Sequence, residues 1–168
     1  MLDPFGTAAD RFRLPATGPT DDMHPGWPES TPFVRLPASA VFPSGARMRL
    51  RPLLRSDGHE WRRQRIEDES FLRSVEPTQA APWAAAHSQQ AWWNHLMYLR
   101  TAAREALVVP LVIEVEGQFV GQITLGNIQH GSIRDCWIGY WVYSAIHGAG
   151  VATAATALGV DHAFGRVG

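Results

Sequence analysis

Between Leu107 and Ala155 the sequence lays down three extended runs, then two glycines, then a run of small residues. No other feature restricts the possible folds as much. L-V-V-P-L-V-I-E-V is a continuous apolar run of strand length, and Glu116-Gly117 is the two-residue turn that lets Q-F-V-G-Q-I-T-L-G return beside it. A second turn around Gln129 to Ser132 leads into R-D-C-W-I-G-Y-W-V-Y, a third antiparallel strand. Gly121 and Gly139 interrupt these strands, where glycine marks a bulge or the close approach of another backbone. The meander ends in S-A-I-H-G-A-G-V-A-T-A-A, so the chain must pass from strand to helix through Gly148 and Gly150. Glycine is the residue used where a Cβ would keep a visitor off the backbone.

Upstream, R-M-R-L-R-P-L alternates and predicts a first strand from Ala46, with Met48, Leu50 and Leu53 toward a core. Asp57 with Glu60 three residues later reads as a capping box, opening a helix that carries Trp61, Ile66 and Phe71. A second helix is expected from Pro82 to Ala106, with Trp92, Leu96, Leu99 and Ala103 on one core-facing stripe. The order of strand, two helices, three antiparallel strands, glycine loop and helix is that of an α+β or mixed α/β fold. Eight of the twelve prolines lie in the first 43 residues, where they forbid regular helix. Residues 1–45 are therefore expected to be a proline-rich extension, partly ordered at best, and 46–168 the domain. Trp27 and Phe33 either pin that extension or hang loose.

A chain of 168 residues has room for one domain. Its net charge of −1, with no basic block, argues against nucleic acid as a partner. No run approaches the ~18 apolar residues of a membrane span, and a cytoplasmic location is expected. Cys136 is the only cysteine, so neither an internal disulfide nor a thiolate metal cluster can form. All 15 basic residues are arginines, which excludes a lysine nucleophile or Schiff base.

The loop H-G-A-G-V-A-T lacks the lysine of a P-loop. As a dinucleotide fingerprint it lacks the third small residue, and its strand closes a meander where that motif opens a βαβ unit. A glycine turn feeding a helix fits better: the free N–H groups and positive end of that helix face an anion such as a pyrophosphate. A helix entry that merely needs pliant residues is the plain alternative.

The opening R-L-R-P-L, the hairpin V-E-G-Q-F-V-G-Q-I-T-L, the strand W-I-G-Y-W-V and the loop H-G-A-G-V-A-T-A-A together resemble the GNAT superfamily of N-acetyltransferases, in its RimJ/RimL-like branch. The resemblance implies a GNAT-like fold with acetyl-CoA as co-substrate and no metal. The pyrophosphate would lie on the backbone of His147, Gly148, Ala149, Gly150, Val151, Ala152 and Thr153, and the pantetheine arm along the strand edge at Trp141, Val142 and Tyr143. His147 replaces the usual Gln or Arg, and Ala149 a residue that is often long and basic or polar, so a side-chain contact to phosphate would be lost there. Relatives continue with a strand, a helix and two further strands, so the chain is expected to be C-terminally incomplete.

Acetyl transfer to an amine needs a neutral amine, a donor for the thioester oxygen and a proton for the leaving thiolate. The Val142 N–H is the candidate oxyanion donor. Many relatives place a glutamate just before I-G-Y, but Trp137 stands there, leaving Asp135, Glu114 and His130 as candidate bases, each also readable as a solvated strand-end or turn residue. Cys136 as a nucleophile has no legible partner. The expected reaction is direct transfer from acetyl-CoA to a primary amine, with a protein N-terminal α-amine as the favoured acceptor. The alternative is a non-catalytic module that pairs through an exposed sheet edge, with a partner or as a homodimer.

Overall fold

Five antiparallel strands form one sheet in chain order: β1 (Val34–Leu36), β2 (Ala46–Pro52), β3 (Val108–Val115), β4 (Gln118–Gly126) and β5 (Trp137–Val142). The computed structural model describes residues 25–78 and 80–168. Between β2 and β3 run α1 (Gly58–Glu67), the short α2 (Glu69–Leu72) and α3 (Trp83–Ala86), and the long α4 (Gln89–Arg104); α5 (Val151–His162) follows β5.

The sheet is buried from both sides. Val109, Leu111, Ile113 and Val115 of β3 join Met48, Leu50, Ile123 and Leu125 beneath Val151, Ala155 and Leu158 of α5. Val112, on the other face, packs with Trp61 of α1 and Trp92, Leu96 and Leu99 of α4. Burial on both faces explains why β3 reads as an unbroken apolar run, without alternation. The expected α4 stripe of Trp92, Leu96, Leu99 and Ala103 is buried throughout.

The hairpin turn lies where expected, with positive φ at both Glu116 and Gly117. The β3–β4 register then slips, Ile113 facing Gly121 and Glu114 facing Phe119, so Val120 is an extra residue on β4. A side chain at Gly121 would run into the Trp141 carbonyl oxygen, which accounts for the glycine at this bulge.

The helical region departs from expectation in two ways. Asp57 stands at the N-cap of α1 without capping it through its side chain. Its carboxylate instead accepts from the Leu54 N–H at 2.7 Å and from both terminal nitrogens of Arg51 at 2.8 and 2.9 Å. Charge pairing with a buried guanidinium outweighs a cap hydrogen bond. The first helix also breaks at Asp68, and Ile66 and Phe71 are left largely exposed, 40% and 47%. Trp61 is buried as expected, and Gln64, Arg65 and Leu72 face inward in place of the other two. The second predicted helix is split at His87 and Ser88, where the Ser88 hydroxyl caps α4 by accepting from Ala91 N–H at 3.2 Å.

Residues 25–45, expected as part of an extension, are tied into the domain. Pro32 and Pro37 bracket β1, an edge strand, where a missing N–H costs no ladder bond. Thr31 exchanges two 2.9 Å hydrogen bonds with the Leu50 backbone, and Trp27 packs on the core. Arg47 and Arg49 lie over the Phe33 ring at 4.1 and 4.7 Å. Glu29 takes a bidentate pair from Arg166, and the buried His162 ring donates to Gly26 O at 2.6 Å. Residues 1–24 lie outside the described residues.

Candidate active site

β5 is bonded to β4 alone, so its other edge is open among the described residues. The Tyr143 N–H donates to Val120 O at 2.9 Å, and since successive residues of a strand point to alternate sides, Val142 turns its N–H and C=O to the open edge. Its carbonyl is taken there by His147, whose Nε2 donates to Val142 O at 3.1 Å. The His147 ring also meets Phe71 edge-on at 5.2 Å. His147 thus latches the loop to the strand it leaves.

The loop is also fastened from α1 and α2. The buried Asp68 accepts from Ser144 N–H at 2.8 Å and from the Ser144 hydroxyl, and the Tyr143 hydroxyl donates to Glu67. Arg63 Nη1 donates to that hydroxyl at 3.3 Å. The hydrogen bond to Glu67 is the main reason the Tyr143 phenol is pushed above its ordinary range.

Gly148 and Gly150 then adopt left-handed φ of +78° and +76°, which side chains resist. An added Cβ at either would meet no protein atom within 4 Å. The space that such a carbon would fill is open cleft. Among the described residues no N–H from Gly148 to Thr153 donates to a protein acceptor; the first to close onto the chain is Ala154 N–H, to Gly150 O at 3.0 Å. A row of free donors at the positive end of a 12-residue helix is an anion site in waiting. The Ala149 methyl is buried in the core with Val151. Position 149 therefore offers no side chain to a phosphate, and any contact there is left to the backbone.

The loop opens onto a cleft of about 630 Å³ walled by Phe71, Leu72 and Val75 on one side and Tyr140, Trp141 and Val142 on the other. A second cleft, of about 660 Å³, lies on the α1 and α4 side and shares Leu72, Val75, Tyr140 and Trp141 with the first. The two meet at β5. The second contains Arg65, Glu76, His87, His95 and Gln122.

The loop and strand residues expected to hold a cofactor line the first cleft, apart from Tyr143 and Ala149, whereas the three candidate bases line neither cleft. Glu114 is buried between Arg49 (2.7 Å) and Arg51, on a separate polar hollow. Burial alone would raise its pKa, but hydrogen bonds from both arginines overcome this and hold it below the ordinary value, the reverse of what a base needs. Asp135 and His130 are exposed and share a hollow with Cys136 before β5 begins. His130 Nε2 donates to Ala106 O at 2.8 Å. Burial, then the Asp135 charge, pushes the Cys136 thiol up, so it stays protonated and is a poor nucleophile.

His95 was not singled out from the sequence. It stands three residues after Trp92 and four before Leu99, on the flank of the stripe that packs α4, and that spacing was the available signal.

The chain matches the family described as acetyltransferase (GNAT) domain over residues 47–168. Among solved structures, Mycobacterium smegmatis RimJ in complex with CoA-disulfide is 42% identical, with a TM-score of 0.79 over 86% of this chain and 66% of that one. The ribosomal-protein-S5-alanine acetyltransferase from Vibrio fischeri, at 18% identity, has a TM-score of 0.62 over 79% of this chain and 68% of that one. An acetyl transferase from Salmonella typhimurium, which modifies the N-terminal serine of ribosomal protein L7/L12, has a TM-score of 0.59 at 15% identity, over 77% of this chain and 67% of that one. The latter two show the shared fold. The chain spans about two thirds of the length of each. No curated protein matches it. With the family match running from β2 to the end of the chain, and free amides at the mouth of α5, the chain belongs to the GNAT acetyltransferase family.

Proposed function

We propose that the chain transfers an acetyl group from acetyl-CoA to a primary amine, the α-amine of a protein N-terminus, in the cytoplasm. One observation carries the reading: the unengaged N–H row from Gly148 to Thr153 opens onto a cleft that runs to the free edge of β5. Those amides suit a pyrophosphate, and the strand edge suits the amide-bearing pantetheine arm, which can pair with it like an added strand. Acetyl-CoA supplies the acetyl group as a thioester. Val142, with its N–H on the open edge, is the donor for the thioester oxygen as negative charge gathers on it, a contribution of about 3 kcal/mol for one well-aimed donor. Binding both reactants around β5 replaces a collision with a local encounter. The N-terminal acceptor is supported by the relatives, one named for the S5 alanine and another for the L7/L12 serine.

Calorimetry with acetyl-CoA tests the loop. Gly150→Glu places a side chain and a negative charge in the open space beside the amides, so binding should be lost. Gly150→Asn, which tolerates positive φ, should keep the fold and bind more weakly. Equal affinity in the wild type and a folded Gly150→Glu variant refutes the assignment.

A further inference from the structure

The second cleft holds five titratable side chains; Tyr140 is largely exposed, and Arg65, Glu76 and His87 are already committed. Arg65 is paired with Glu76 and lies over the Trp61 and Trp141 rings at 5.4 and 5.1 Å. His87 is buried, and its Nδ1 donates to Trp83 O at 2.8 Å. His95 differs. It is half-buried on α4, stacked on Trp61 with ring centroids 5.5 Å apart, and its Nε2 is 3.3 Å from Gln122 Oε1 on β4.

The Gln122 amide also contacts its strand neighbour, its Nε2 donating to Thr124 Oγ1 at 3.2 Å. The Gln122 oxygen faces His95 and can only accept, so in this arrangement the His95 Nε2 carries the proton and the lone pair is on Nδ1. A histidine held in one tautomer by a side-chain amide, in a cleft that meets the cofactor cleft at Trp141, is equipped to receive a proton.

On the reading of the chain as an acetyltransferase, we infer that His95 is the general base for the amine acceptor, with Gln122 as the residue that positions it. His95 Nδ1 takes one proton from the acceptor ammonium. The freed nitrogen lone pair then attacks the thioester carbonyl carbon; the C–N bond forms, the C–S bond breaks and its electron pair leaves on sulfur. The second amine proton passes to that sulfur, giving the free thiol and a neutral amide, and His95 returns its proton to solvent.

The surroundings agree in sign. Burial is the main influence holding the His95 imidazolium below its ordinary pKa of 6.5, and the nearby Arg65 and His87 act the same way. The hydrogen bond with Gln122 and the Glu76 carboxylate oppose them without prevailing. At pH 7 the ring is neutral and able to accept.

The test pairs two measurements. In wild-type protein, imidazole nitrogen NMR should show His95 protonated at Nε2 at neutral pH, with a titration midpoint below 6.5. His95→Gln should bind acetyl-CoA with unchanged affinity by calorimetry, yet acetylate an N-terminal peptide with kcat lowered about 10²- to 10⁴-fold, losing the acidic limb of the kcat/KM profile. A proton on Nδ1 at neutral pH, or undiminished kcat in His95→Gln, overturns the assignment. If wild-type protein binds no acetyl-CoA, the parent reading falls and takes this one with it. If both proteins bind and turn over equally, this one falls alone.

Discussion

Glu114 has the composition-level look of a catalytic acid or base: a lone carboxylate in an apolar strand. Its surroundings give it a different task. It neutralises Arg49 and Arg51 on neighbouring β2, while Arg51 also grips Asp57 at the start of α1. Because its folded pKa lies below the ordinary 4.5, its contribution to stability is fully present above that value and is lost as pH falls through the folded pKa. Glu114→Gln should cost about 3 kcal/mol in urea unfolding at pH 7, with the difference from wild type shrinking steadily below pH 4.5. A difference that is independent of pH would mean that the ion pairs contribute nothing. The loop residues depend on their surroundings in the same way. A sequence shows that Ala149 and His147 occupy the loop; it does not show that one methyl points into the core while the other ring turns back to Val142. His95 was hidden by its helix, since its role depends on Gln122, 27 residues away.

At the scale of elements, the meander was legible almost residue by residue, because strand length, turn chemistry and glycine placement are local signals. The helices were less so. The break at Asp68 and the split at His87 arise from tertiary ties, Asp68 being drawn to Ser144 and Trp83 Nε1 donating to Arg65 O at 2.7 Å. The bulge on β4 matters most for the site. Val120 carries the carbonyl that anchors Tyr143, and Gly121 leaves room for the Trp141 carbonyl, so this irregularity sets where Val142 presents its N–H. Gly121→Ala should therefore destabilise the protein by about 1–3 kcal/mol in denaturant unfolding, since backbone rather than a pliant side chain must move. In the fraction that folds, acetyl-CoA binding should also weaken. Stability within about 0.5 kcal/mol of wild type would show that the β4–β5 contact is not close.

At the scale of the whole molecule, three separated parts of the chain fix one loop. α5 is held from behind by the residue 26–29 stretch through His162 and Arg166. The start of the loop is held by Asp68 and Glu67, and its middle by its own His147. Composition marked the proline-rich stretch as irregular; its described part, residues 25–45, docks all the same, and only the long-range partners reveal this. The consequence is a rigid mouth on α5, with donors directed outward and two clefts converging on β5. Backbone amide NMR during titration with CoA tests this arrangement most directly. The largest shifts should fall on Gly148 to Thr153, with Val142 shifting as its open-edge N–H is engaged. Shifts centred instead on the polar hollow around Glu114, or no shifts in the α5 mouth at saturating CoA, would contradict it.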